Sequence, residues 1–156
     1  MEKELENNLT EYDDSNYWYE ELDDFLIDFE YDDTNTNNYW YDIGARESSK
    51  IINHFTNEDW KALFENFDSK SHVWKKRVLS SLTNFNDDNQ LNLLLKISNT
   101  DDLELFEIVI ERLRYFNTDR ISNYDELCKR VNQLMAKYDD VTQKKFNNFL
   151  DKKIKK

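Results

Sequence analysis

Residues 57–82 read NEDWKALFENFDSKSHVWKKRVLSSL, and the spacing of their apolar side chains decides the fold class. Trp60, Leu63, Phe64 and Phe67 recur at three- and four-residue intervals, as do Trp74, Val78, Leu79 and Leu82. That is the period of an amphipathic helix and not the alternation of a strand. The pattern persists downstream: Leu91, Leu94 and Leu95, with Ser98 next in register, mark a third helix, and Leu105, Val109, Ile110 and Leu113 a fourth. Tyr124, Leu127, Cys128, Val131, Leu134, Met135 and Tyr138 keep it over about four turns. Phe146, Phe149 and Leu150 close the series. Each segment follows residues suited to N-caps: Asn57, Ser71, Asp87, Asp101, Ser122 and Asp139. The chain has no proline and a single glycine, Gly44, so tight hairpins that need positive φ have almost nothing to build them. The expected class is all-α.

The helices also repeat. At an offset of 31 residues Trp74, Val78, Leu79, Leu82, Phe85 and Asn86 fall on Leu105, Val109, Ile110, Leu113, Phe116 and Asn117, and Trp60, Leu63 and Phe64 fall on Leu91, Leu94 and Leu95. An offset of 33 carries these last three onto Tyr124, Leu127 and Cys128. Helix pairs repeated two to three times predict a short α-solenoid of antiparallel pairs, although any run of amphipathic helices can be slid into partial register.

Upstream, the composition changes. Residues 1–56 carry 16 acids and three bases, whereas residues 57–156 carry 17 acids and 18 bases, so the net charge of −12 is concentrated in the first third. Ten of the 23 aromatics lie between Tyr12 and Tyr41 among those acids, which excludes a merely solvated acidic tail. Ser15 or Asn16 can cap a helix to about Tyr31, and 44–55 supports another, with Ile51, Ile52 and Phe55 inward. Between them 32–38, DDTNTNN, reads as a loop, and 1–14 as a frayed helix or tail. The length of 156 residues fits a single domain, with an acidic front (15–56) and helix pairs behind it (57–156).

Little here can carry catalysis. His54 and His72 have no second His or Cys at metal-ligand spacing, and no Gly-rich loop can cradle a phosphate. Asp33, Asn35 and Asn37 imitate a calcium loop, but Asn38 and Gly44 stand where a glycine and a bidentate glutamate are required. The expectation is a non-enzyme with no cofactor and no metal. The lone Cys128 cannot form an internal disulfide, and the start MEKELENNLT lacks the basic and apolar segments of a signal peptide, so a soluble cytoplasmic protein is expected. The negative charge repels phosphate backbones and anionic lipid, which predicts no nucleic acid and no membrane but a basic protein partner.

The first helix is where such a partner would bind. A helical wheel places Trp18, Leu22, Phe25, Leu26 and Phe29 on a core side, and Glu20, Asp24, Ile27 and Tyr31 along the other with Asp23 beside them. An isoleucine and a tyrosine on an acidic face read as anchors among steering charges, or else as a helix buried on two sides. The flanking triplets Tyr17-Trp18-Tyr19 and Tyr39-Trp40-Tyr41 add aromatic surface, with the tryptophans expected in the core and the tyrosines toward solvent. The candidate partner-binding residues are therefore Glu20, Asp23, Asp24, Ile27, Tyr31, Asp32, Asp33, Tyr39, Tyr41 and Asp42.

The acidic aromatic front, followed by Trp74, Lys76-Arg77, Leu79 and Leu82, then Leu93-Leu94-Leu95, then Asp101-Asp102, Leu105, Val109 and Leu113, resembles the small HEAT-like helical immunity proteins of bacterial polymorphic toxin and contact-dependent growth inhibition systems. The helical part of the likeness covers 57–116. It implies a short HEAT-like α-solenoid that binds and neutralises one cognate toxin domain, commonly a basic nuclease. An acidic nucleic-acid mimic that blocks a DNA-binding protein is the alternative, and a carboxylate-metal hydrolase stands further off because neither histidine follows a glutamate at Glu-x-x-His spacing.

Overall fold

The computed structural model describes residues 16–31 and 40–152, apart from the side chains of Glu30, Tyr31, Tyr41 and Asp42. The expected tail 1–14 and loop 32–38 lie outside them. Every regular element among the described residues is helical: α1 (Tyr17–Tyr31), a π-helical turn (Trp40–Gly44), α2 (Ala45–Ile52), α3 (Asn57–Asn66), α4 (His72–Ser80), α5 (Asp88–Ile97), α6 (Leu103–Leu113), α7 (Tyr124–Leu134) and α8 (Asp140–Asp151). Short 3₁₀ turns follow α3, precede α7 and end it. The all-α expectation holds. The chain divides into two compact units, Met1–Leu82 and Thr83–Lys156, so the structural boundary lies later than the charge boundary at residue 56.

Local chemistry explains the helix starts. Ser71, Asp87 and Asp139 cap α4, α5 and α8 as the sequence predicts, accepting from the backbone N–H of Trp74, Asn89 and Thr142. Three other starts shift by one residue: Thr56 rather than Asn57 caps α3, Asp102 rather than Asp101 caps α6, and Asn123 rather than Ser122 precedes α7. At α3 the reason is a complete capping box, in which Thr56 Oγ1 accepts from Asp59 N–H while Asp59 Oδ2 accepts from Thr56 N–H at 2.8 Å.

In the first unit α1 and α2 form an antiparallel pair, with Trp18 near the start of α1 stacked on His54 just past the end of α2. Leu22, Leu26, Phe29, Trp40 and Ile52 are buried, joined by Trp60, Leu63, Phe67, Trp74, Val78 and Leu79 from α3, α4 and the turn between them. Small side chains let α2 approach α4, where the buried hydroxyls of Ser48 and Ser81 hydrogen-bond and Ser49 Oγ donates to Ser81 O at 2.7 Å. Gly44 serves the same end at the π-helical turn, since a Cβ there would lie 2.4 Å from Trp40 Cε3 and 2.9 Å from Phe29 Cζ.

The second unit is two helical hairpins. Phe85, before α5, meets Phe116, beyond α6, at 5.6 Å, and Tyr124 Oη at the start of α7 donates to Phe149 O near the end of α8 at 2.6 Å. Each pair is antiparallel. Like helices of the two hairpins run in the same direction. Tyr138 donates to Leu103 O, Thr142 to Glu107, Lys145 to Glu111 and Lys152 to Phe116 O, so α8 tracks α6 at a nearly constant offset. Arg120 donates to the carbonyls of Phe85 and Asn86 and to Asp88, and Arg130 to the carbonyls of Ser98 and Thr100, so the stretch leading through α7 follows α5 in the same sense.

Candidate acidic face on the first helix

The orientation of α1 is fixed from beneath by two carboxylates. Asp59, fully buried, accepts Tyr19 N–H at 2.9 Å through Oδ1 while its Oδ2 completes the capping box of α3. One carboxylate thus satisfies amides at two helix N-termini, where the helix dipoles favour its charge. One turn further on, Asp23 Oδ1 accepts Lys70 Nζ at 2.9 Å and the Trp74 indole N–H at 3.0 Å. Lys70 lies over the rings of Tyr19 and Trp74, 5.9 and 5.4 Å from their centroids. Burial works to lower the Lys70 ammonium pKa, but its bonds to Asp23 and Tyr19 outweigh that and raise it, so the cation is held. Burial raises the Tyr19 phenol above its ordinary value, with the Lys70 charge opposing.

With these contacts inside, the outer face of α1 presents Tyr17, Glu20, Glu21, Asp24, Ile27 and Asp28, all exposed. Four carboxylates share it with two large apolar side chains, Ile27 at 36% and Tyr17 at 39% exposure. No Lys, Arg or His occurs on α1. Of the residues expected at this face, Glu20, Asp24 and Ile27 stand together on it. Asp23 does not, because Lys70, 47 residues away, draws it inward. The Tyr31, Tyr41 and Asp42 side chains, and Asp32, Asp33 and Tyr39 entirely, lie outside the described residues. Glu21, Asp28 and Tyr17 are additions that the wheel, read through the positions of Ile27 and Tyr31, passed over.

Three expectations for burial on α1 are corrected. Trp18 and Phe25 are half-buried, not core, because they lie at the margins of the stripe. Trp18 covers the exposed His54 ring at 4.5 Å, and Phe25 leans on Phe29 at 5.7 Å. Tyr19, expected toward solvent, is only 5% exposed, since its backbone is tied to Asp59 and its ring to Lys70. Trp40 is buried as expected, with the Arg77 guanidinium 4.9 Å from its ring and 5.0 Å from that of Phe29.

Elsewhere the chemistry is sparse. Among the described residues no group of three or more His, Cys, Asp and Glu could hold a metal ion. A hollow of about 270 Å³ lies at the start of α7, lined by Thr118 and by residues Ile121 to Glu126, whose charged members are the carboxylates Asp125 and Glu126. Among the described residues no helix is long and apolar enough to cross a membrane. The chain matches no protein-family model, no curated protein and no solved structure.

Proposed function

We propose that this protein is an immunity protein that neutralises a cognate basic toxin domain by seating the exposed face of α1 on it. The observation that carries the reading is the composition of that face: Glu20, Glu21, Asp24 and Asp28 beside an exposed Ile27 and Tyr17, with no base on the helix. The carboxylates supply long-range attraction for a surface built to hold phosphate, and the two apolar side chains supply contact area that solvated carboxylates cannot. Interruption of the charge by large apolar groups favours a shaped protein interface over mimicry of a regular phosphate ladder. The first unit carries 20 acids and eight bases and the second 13 of each, so attraction is directed at the unit that bears α1.

The scaffold in this reading is a short HEAT-like α-solenoid of antiparallel helix pairs with an acidic N-terminal helical region. Its support is the same-direction run of α6 with α8 and of the α7 stretch with α5, at separations close to one repeat. The protein acts in the cytoplasm, where an incoming toxin domain must be met, and acts by occlusion and not by catalysis. The experiment is co-expression with the toxin domain encoded beside this gene. The wild-type chain should restore growth and form a one-to-one complex. A variant with Glu20, Asp24 and Asp28 changed to the corresponding amides, and Ile27 to Ala, should fold but fail to protect. Full protection by that variant refutes the assignment of the face.

A further inference from the structure

We infer that the N-terminal end of the α1 face is a guanidinium site, in which Tyr17, Trp18 and Glu21 receive an arginine side chain of the basic partner. The inference rests on the reading of α1 as the contact surface and adds the side chain that this surface selects. Of the four tryptophans, Trp40, Trp60 and Trp74 are buried at 3%, 4% and 2% exposure, and Trp18 alone is half-buried. It is the middle ring of a short ladder. Tyr17 meets it at 5.1 Å with the rings near perpendicular, and the exposed His54 ring stacks on it at 4.5 Å with 17° between the planes. Asp59 holds the ladder from beneath. Its carboxylate accepts Tyr19 N–H, the amide next to Trp18, at 2.9 Å and Thr56 N–H, two residues past His54, at 2.8 Å. Rings fixed in this way lose little freedom when a partner covers them, which favours them as binding hot spots.

Packing accounts for the face of Trp18 that lies on His54, but not for Tyr17, which extends the ladder at 39% exposure. Glu21 follows Tyr17 by four residues and Trp18 by three. Helical side chains lean toward the N-terminus, so its exposed carboxylate stands over the turn that carries both rings. Neither Glu20 nor Glu21 forms an ion pair among the described residues. Aromatic rings and an unpaired carboxylate one turn apart match an arginine in particular. The guanidinium plane lies on the rings while its fork meets the carboxylate, whereas a lysine ammonium offers a point charge and no plane. The α1 dipole opposes a cation at this end, and the charge of Asp59, seated against the Tyr19 amide, offsets it.

The test is titration of the full chain with hexa-arginine and with hexa-lysine at constant ionic strength, following tryptophan fluorescence and the indole Nε1–Hε1 resonances. The expected result is a saturable shift of the Trp18 resonance, with hexa-arginine bound about fivefold tighter than hexa-lysine. Trp18→Leu should bring the two affinities together. Tyr17→Leu, at the more exposed ring, should narrow the gap and serves if the first variant does not fold. Glu21→Gln should weaken hexa-arginine more than hexa-lysine. Tyr115→Leu, at an exposed ring of the second unit, should bind as wild type. Equal affinities of the wild-type chain for the two peptides, or an unmoved Trp18 resonance, overturn the inference and leave steering by the α1 carboxylates standing. Undiminished binding of both peptides when Glu20, Asp24 and Asp28 become amides overturns instead the reading on which it rests.

Discussion

Replacing Asp59 by Ala removes a side chain that ties the start of α1 to the start of α3. Its carboxylate, 0% exposed, accepts three hydrogen bonds: Tyr19 N–H at 2.9 Å, Thr56 N–H at 2.8 Å and Thr56 Oγ1 at 3.0 Å. Bonds to a charged acceptor contribute about 1.5–3 kcal/mol each, but the Thr56 hydroxyl can turn to water, and cap losses alone are about 1 kcal/mol. The two amides therefore set the scale, and the expected loss is about 3–4 kcal/mol. For a chain of this size that lowers Tm by roughly 10 °C. Asp59→Asn keeps the shape but offers one acceptor oxygen for two amides, and should lose about half as much. Denaturant unfolding followed by circular dichroism gives the free energy, and hydrogen exchange at the Tyr19 amide should accelerate in step. A loss below about 1 kcal/mol for Ala refutes the idea that this carboxylate fixes the helix that bears the acidic face.

Gly44→Ala should destabilise by about 1–3 kcal/mol despite its better helix propensity, because the new methyl meets the Trp40 ring at 2.4 Å; Trp40→Leu in the same background should recover part of the loss. Leu26→Ala, at 1% exposure, should cost about 2–5 kcal/mol of stability, whereas Ile27→Ala, one residue along and 36% exposed, should cost under about 1 kcal/mol and instead speed dissociation of the proposed toxin partner. Equal stability losses for the pair would mean that both faces are buried. The Tyr138 phenol, pushed up to about 12 chiefly by burial and then by Glu107, donates to Leu103 O at 2.7 Å. Its folded pKa lies above the unfolded value near 10, so its contribution is intact below pH 10 and is lost as pH rises from about 10 to 12. Tyr138→Phe should flatten that part of the pH–stability curve, and tyrosinate absorbance should report the raised titration.

The helices of the second unit were readable because each buries an apolar stripe whose spacing survives in the sequence; Leu105, Val109, Ile110 and Leu113 are all buried. Caps were readable to within a residue, since adjacent Asp101 and Asp102 can both cap and only the geometry of the first turn selects Asp102. The outward half of α1 was legible through Glu20, Asp24 and Ile27. Asp23 was not, because its direction depends on Lys70 and Trp74, which no local pattern connects to it. Tyr19 failed for the same reason, being buried by α3 and by the Lys70 chain, while its neighbour Trp18 caps the exposed His54 at the margin. The π-helical turn at Trp40–Gly44 had no periodic signal to betray it, and only the absence of a Cβ at Gly44 hinted at a close approach.

The most direct test of the acidic face is the association rate of the proposed basic toxin partner with the wild-type chain and with the Glu20→Gln, Asp24→Asn, Asp28→Asn triple variant, at low and at physiological salt. If α1 steers the encounter, the wild-type on-rate falls by about tenfold as the Debye length shortens to roughly 8 Å, and the triple variant is slow at both salt concentrations with a much shallower dependence. On-rates and salt slopes that match between the two proteins contradict the account and place the contact surface elsewhere.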